Sequence, residues 1–195
     1  MKKIIFLLTF VISSHLWASN HSLDSTIDKH QSEFENVAMT IWDLAEVGYQ
    51  EYESSKLLQN SLKNHGFRIQ TNVADIPTAF IAEYGSGTPV IAILGEFDAL
   101  PGVAQSASPF KEPYKDNQAG HACGHHLFGA GSAWSSVVIK DWMKANNIKG
   151  TIRFYGTPAE EGGSGKVYMT RAGLFNDVDV ALHWHPGSVS HARPR

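Results

Sequence analysis

VIAIL, at residues 90–94, is a run of five apolar residues that leads directly into GEFDALPG at residues 95–102. A strand without polar alternation is buried on both faces, as in sheets that are largely parallel. Layers of helices must then cover both faces of the sheet. The run therefore predicts an α/β fold, a three-layer sandwich with a mixed, largely parallel sheet flanked by helices.

The remaining apolar patterns fit this architecture. Apolar residues at spacings of three and four predict helices over residues 24–46, 52–65 and 127–146. Shorter runs predict strands over residues 67–73, 79–84, 151–155 and 178–182. The glycine-rich segment that follows residue 155 is expected to be a loop. Because ligands in open α/β sheets collect at the carboxyl ends of the strands, a site is expected there.

The composition is that of a globular protein. Of the 195 residues, 43% are hydrophobic and 18% are charged, and the net charge is -3. This length is sufficient for one well-packed domain. No basic run follows the first three residues, so nucleic acid is not an expected partner.

The first nineteen residues have the pattern of a secretory signal peptide. Two lysines precede an apolar run over residues 4–12, and the small residue Ala18 follows a polar stretch. Cleavage after Ala18 or Ser19 is predicted, which gives a periplasmic or secreted protein with no stable membrane anchor after cleavage. An uncleaved anchor is the alternative, because the residues just before Ala18 fit a cleavage site poorly.

Cys123 and His125 form the first candidate site. On an extended or turning backbone, residues two apart project to the same side and can reach one ion. Thiolate and imidazole together suit Zn²⁺ or a related transition metal. The predicted helix that follows would place the pair at a helix N-terminus, where the dipole favours the thiolate. A buried thiol beside surface histidines is the alternative for this pair taken alone.

Two further clusters follow predicted strands. Glu160 and Glu161 come after the strand at 151–155, and one of two adjacent carboxylates can bind a metal while the other acts on a water. His183 and His185 come after the strand at 178–182. Since strand ends of a largely parallel sheet meet at one edge, the three clusters together predict a metal site.

Three segments in this order, GEFDALPG at 95–102, GHACGH at 120–125 and PAEEG at 158–162, resemble the peptidase M20 family and, more narrowly, its amidohydrolase subfamily. The resemblance implies that Cys123, His125 and Glu161 are metal ligands and that Glu160 is the general base. It also implies that Asp98 orients one of the ligands.

The resemblance extends to the last histidine cluster and to the chemistry. The wider amidohydrolases have a ligand at the position of His183, whereas the aminobenzoyl-glutamate branch has it at the position of His185, which is the favoured choice. Two divalent ions, Zn²⁺ or Mn²⁺, are implied for the complete enzyme. The implied reaction is hydrolysis of amide bonds in small N-acyl or N-aroyl amino acids such as p-aminobenzoyl-glutamate, or in dipeptides, by a water that the metal activates.

The sequence departs from the family pattern in two ways. His126 stands where the family usually has Asp or Asn. Family members are also longer, so residues 20–195 are interpreted as the N-terminal portion of the catalytic domain, without a dimerisation domain and a C-terminal segment. The complete enzyme is expected to be a homodimer or to pair with a homologous subunit.

Two alternative functions stay open at this point. The chain could be a truncated, non-catalytic metal-binding fragment or an accessory module, which would bind metal without turnover. A thiol hydrolase that uses Cys123 with His125 is the weaker alternative, because neighbours so close in sequence seldom reach nucleophile–base geometry.

Overall fold

A computed structural model describes residues 23–113 and 119–190; the predicted signal peptide lies outside them. The helices are α1 (Leu23–Leu44), α2 (Tyr52–Asn64), α3 (His125–Ala145), α4 (Glu160–Gly163) and α5 (Gly165–Arg171), with a 3-10 turn at Val73–Asp75. The strands are β1 (Arg68–Thr71), β2 (Phe80–Ser86), β3 (Val90–Gly95), β4 (Leu100–Pro101), β5 (Ala119–Gly120), β6 (Gly150–Gly156) and β7 (Val180–Leu182). None of these helices is long and apolar enough to cross a membrane.

The main sheet has the strand order β1-β2-β6-β3-β7. β2 pairs antiparallel with both β1 and β6, while β3 pairs parallel with β6 and β7. Four of the five strands therefore point the same way, and only β2 is reversed. β4 and β5 form a separate two-stranded ribbon. The predicted mixed, largely parallel sheet is confirmed.

Helices cover both faces of the sheet. On one face, Ile93 of β3 and Phe154 of β6 pack in a core with residues of α1, α2 and α3. On the other face, Leu94 and Tyr155, the next residues along the same strands, pack with Met169 of α5. Successive side chains on a strand point to opposite faces, so the VIAIL run is buried from both sides. The three-layer sandwich is confirmed.

The element ends differ from the predicted ones for local reasons. β1 ends at Thr71 rather than at 73, because Asn72 adopts a left-handed conformation (φ 54°) and the chain enters the 3-10 turn. α3 begins at His125, two residues earlier than predicted, since Gly124 (φ 81°) turns the chain just before it. The prediction of a loop after residue 155 is wrong in part: α4 (Glu160–Gly163) interrupts the segment, and α5 begins at Gly165.

Close packing of α3 on β3 sets the position of the strand-end residues. A Cβ added at Gly129 of α3 would lie 2.6 Å from the Glu96 carbonyl oxygen and 3.3 Å from the Phe97 Cβ. Only glycine allows this approach. The first turn of α3, which carries His125, is thereby held against the segment that follows β3.

Candidate metal centre

The predicted site residues meet at one edge of the main sheet, where Glu96 joins them. Glu96 and Asp98 follow β3, Glu160 and Glu161 begin α4 after β6, and His185 follows β7. α3 contributes its first residue, and Cys123 lies two positions before it. The centre is thus assembled from the carboxyl ends of three parallel strands and one helix N-terminus, as expected for this class of sheet.

His125 lies at the middle of the centre and is fully buried. Its Nδ1 is 2.9 Å from Asp98 Oδ1 and 3.0 Å from the Asp98 carbonyl oxygen. The second carboxylate oxygen of Asp98 accepts the backbone N–H of Glu161 at 2.9 Å. Asp98 therefore fixes both the His125 ring and the start of α4.

The Nε2 atom of His125 faces the other donor atoms. It lies 3.4 Å from His185 Nε2, and His185 Nε2 is 3.5 Å from the Cys123 sulfur. Glu160 Oε2 and Glu161 Oε1 are each 3.9 Å from the same His125 nitrogen. The Glu160 side chain is 44% exposed, whereas that of Glu161 is 21% exposed, so Glu160 lies on the open side of the centre.

These residues fit a metal ion. Cys123, His125 and His185 each offer one donor atom, and these three atoms all lie within 4.8 Å of one another. The same holds for one donor atom each from Glu96, His125 and Glu160. Among the described residues, Glu161 Oε1 is buried without a hydrogen-bond partner, which is costly unless a cation compensates. Glu96 Oε2 is also buried and lies 2.9 Å from His125 Nε2. Sulfur, imidazole and carboxylate donors together suit Zn²⁺ and related ions.

Glu96 and His125 form a strongly coupled pair. Burial alone would lower the pKa of His125, but hydrogen bonds and charges of Asp98 and Glu96 raise it well above its ordinary value. Burial alone would raise the pKa of Glu96, but hydrogen bonds with His125 and Lys166 and their charges lower it well below its ordinary value. The carboxylates thus hold positive charge at the position of His125 Nε2. A metal ion bound there would displace a proton, as metal ligands must be deprotonated.

The expectation that a helix N-terminus favours the Cys123 thiolate is not met in the protein alone. Burial, followed by a hydrogen bond with Glu161 and the charges of the nearby glutamates, raises the pKa of the Cys123 thiol to about 11. Burial and the carboxylates together outweigh the half-charge of a helix end. A bound cation is what would favour the thiolate here.

The two candidate histidines after β7 have different environments. His185 reaches both Cys123 and His125. His183 instead lies with its Nε2 3.5 Å from Glu96 Oε1 and its ring against Phe128. The structure therefore brings His185, and not His183, to the Cys123 and His125 pair.

Sequence reasoning gave no role to Glu96, Lys166 or Glu51. The sequence does mark Glu96 and Asp98 as two carboxylates after the strand at 90–94, with exposed turn carboxylates as the alternative, and period-2 spacing puts both on one side of an extended chain. Lys166, which pairs with Glu96, lies on the unpredicted α5. Glu51 is fully buried, and its Oε1 accepts the backbone N–H of Ala159 at 2.8 Å, just before Glu160.

His126, the departure from the family pattern, points away from the donor atoms of the centre. Its ring packs edge-on against Trp42 at 4.8 Å and lies 5.1 Å from the ring of His121. Burial, and then the charges of His121 and His125, lower the pKa of His126 to about 4. It is a neutral packing residue between α1 and α3.

The thiol, imidazoles and carboxylates that meet at one edge of this α/β sandwich are ligand types of a metal centre, at the place where such sheets bind ligands. Residues 92–194 match Peptidase family M20/M25/M40, and the chain belongs to this family. It is 43% identical over 165 residues to one of the subunits of p-aminobenzoyl-glutamate hydrolase of Escherichia coli (strain K12), covering 84% of this chain and 34% of that protein. It is 29% identical to hippurate hydrolase of Campylobacter jejuni, covering 80% of this chain and 39% of that protein.

The solved structures agree with the family. The YXEP protein of Bacillus subtilis, described as a dinuclear metal binding peptidase from the M20 family, is 30% identical with a TM-score of 0.64, covering 80% of this chain and 43% of that chain. An aminobenzoyl-glutamate utilization protein from Klebsiella pneumoniae, 19% identical, has a TM-score of 0.60 and covers 83% of this chain and 45% of that chain, so it supports the fold alone. The chain spans between a third and two fifths of the length of the two curated relatives, 34% and 39%.

Proposed function

We propose that the chain is the part of a metal-dependent amidohydrolase that carries the metal centre. Its substrates are small N-acyl or N-aroyl amino acids related to p-aminobenzoyl-glutamate, or dipeptides. The names of the Escherichia coli and Campylobacter relatives, a p-aminobenzoyl-glutamate hydrolase subunit and a hippurate hydrolase, support this substrate class.

The observation that carries the proposal is the position of Glu160. Its carboxylate is 3.9 Å from His125 Nε2 and 44% exposed, so it borders the donor cluster on the side that solvent reaches. Cys123, His125, His185 and Glu161 would hold the ions, and a centre that only binds metal has no need of a further open carboxylate. Glu160 is therefore free to handle a proton.

The remaining roles follow from the contacts. Zn²⁺ or Mn²⁺, two ions in the complete enzyme, would supply a Lewis acid for the amide carbonyl and lower the pKa of water. Glu160 takes the proton of the attacking water and gives it to the leaving amine. Asp98 holds the His125 ring and the Glu161 backbone in place, which keeps the ligand geometry fixed.

The test is hydrolysis of p-aminobenzoyl-glutamate and a set of dipeptides by the purified chain loaded with Zn²⁺ or Mn²⁺. Glu160→Gln should lower kcat by about 10²- to 10⁴-fold, the usual contribution of a general base, at unchanged metal content. Glu53→Gln, at an exposed carboxylate on α2, is the matched control and should keep full activity. Equal turnover of Glu160→Gln and the unchanged protein would refute the role of Glu160. Stoichiometric metal without turnover would favour a non-catalytic metal-binding fragment.

Two further parts of the proposal concern location and assembly. Residues 1–19 support export to the periplasm or secretion, and sequencing of the mature N-terminus tests it: a start at Met1 would contradict cleavage. The complete enzyme is proposed to be a homodimer or to pair with a homologous subunit, in line with the name of the Escherichia coli relative, which describes one subunit of a hydrolase. Mass measurement of the purified complex would contradict this if it found a monomer.

A further inference from the structure

A second cluster of metal-competent side chains lies among the helices, away from the strand ends. His30 and Glu33 are one turn apart on α1, so they share a face of that helix. His65 follows the last residue of α2. One donor atom of each of these residues lies within 4.8 Å of the other two. The proposed function uses none of the three.

Neighbouring side chains hold the cluster in position. His65 Nε2 is 2.8 Å from Glu33 Oε2, and the Ser61 hydroxyl donates to the other Glu33 oxygen at 2.7 Å. His30 Nε2 is 2.9 Å from Asp141 Oδ2 on α3. The two imidazole rings meet edge-on, with centroids 4.9 Å apart. All three helices of this layer thus contribute to one arrangement of donors.

Burial and charge also suit a cation. His30 is only 7% exposed, whereas the Glu33 side chain is 42% exposed, so the cluster opens to solvent on the glutamate side. Burial alone would raise the pKa of Glu33, but hydrogen bonds from Ser61 and His65 and the charges of His65 and His30 lower it. Glu33 is therefore ionised at neutral pH. Lys29 and Lys140 lie against Asp141.

We propose that His30, Glu33 and His65 form a second binding site for a transition-metal ion of the Zn²⁺ type. Two imidazoles and a carboxylate are a known zinc ligand set, with the fourth position left to water. Asp141 would orient the His30 ring, as carboxylates do for metal-ligating histidines. The proton on His65 that now faces Glu33 would be displaced on binding.

This site is separate from the centre at the strand ends. Ile41, whose carbonyl oxygen lies 3.0 Å from His121 Nε2 near that centre, is eleven positions along α1 from His30. At about 1.5 Å per residue this is roughly 16 Å of helix. An ion at the second site would link α1 to the end of α2, so its expected effect is on stability and not on the proposed reaction.

Cobalt distinguishes the two centres. Cys123 is the only cysteine of the chain, so thiolate-to-Co²⁺ absorption in the near ultraviolet reports the strand-end centre alone. Equilibrium dialysis of the full chain against Co²⁺ counts all bound ions. Glu33→Gln and His65→Asn should each bind one equivalent fewer than the unchanged protein, with the same thiolate absorption.

Glu35→Gln is the matched control, because it makes the same charge change at an exposed position of α1. It should bind as many ions as the unchanged protein. Circular dichroism shows whether His65→Asn disturbs folding. Because Glu33 is partly exposed, Glu33→Gln should keep the fold, and its Co²⁺ content then tests the second site by itself. Unchanged Co²⁺ content in Glu33→Gln would overturn the second site. Loss of thiolate absorption in every protein would instead count against the strand-end centre.

Discussion

The buried carboxyl group of Glu51 makes a prediction about stability and pH. Burial, and the charge of Asp98, raise the pKa of Glu51 to about 7 from its ordinary value of 4.5, although the N–H of Ala159 and the Thr78 hydroxyl oppose the rise. The folded protein therefore binds a proton between these two pH values that the unfolded chain has released. Stability must fall as the pH rises through this window.

The magnitude follows from the same two values. An interval from 4.5 to about 7, at about 1.4 kcal/mol per pH unit, corresponds to roughly 3 kcal/mol of the free energy of unfolding. Below pH 4.5 Glu51 does not change the free energy of unfolding with pH, and above pH 7 the loss of stability that it causes is complete. Glu51→Gln removes the titration, while the amide oxygen can still accept the Ala159 N–H.

Urea denaturation at pH 5 and pH 8, with a chelator present in both, measures the effect. The free energy of unfolding of Glu51→Gln, relative to that of the unchanged protein, should rise by roughly 2.5 kcal/mol between the two conditions, because part of the titration lies below pH 5. The other titrating groups are common to both proteins, so their contributions largely cancel, except for that of Asp98, whose charge interacts with Glu51. A difference that stays constant with pH would refute the reasoning.

Two substitutions give further predictions. In Asp98→Asn a single amide oxygen replaces the two carboxylate oxygens, one beside His125 Nδ1 and one that accepts the Glu161 N–H. Metal affinity at the strand-end centre should therefore fall by about 10- to 100-fold. Competition with a chelating dye measures this affinity, and an unchanged value would contradict the prediction. In Gly156→Ala the new Cβ would collide with the Phe80 ring, and the free energy of unfolding should fall by about 1–3 kcal/mol. Gly162→Ala, where nothing lies within 4 Å, is the control, and an equal loss in both would count against the collision.

The apolar patterns predicted most of the fold because burial follows directly from them. The short VIAIL run favoured a strand covered on both faces, and the spacing of α1 and α3 placed one stripe of each helix on the sheet. The short helices α4 and α5 could not be predicted. They begin after Ala159 and Ser164, which adopt left-handed conformations (φ 57° and 56°) that neither residue type suggests.

The strand-end cluster was foreseeable for a related reason, since parallel strands bring their carboxyl ends together whatever the sequence distance between them. The choice between His183 and His185 was not foreseeable from spacing. Residues two apart on an extended chain share a side, yet only His185 reaches Cys123. The pairing of His65 with Glu33 depends on how α1 and α2 pack, which no local pattern shows.

The segment that carries His185 is the least buried contributor to the strand-end centre. Val180 and Leu182 of β7 are 48% and 50% exposed. Beyond β7 the segment is attached to α3 through Trp184, whose indole donates to Ser132 Oγ at 2.9 Å and packs on Phe128. Under the proposed ligand assignment, this segment could detach from α3 while the sheet stays intact, because weakly packed segments open at a lower free energy than the core. The residence time of an ion would then be set by the docking of a tryptophan and not by global unfolding.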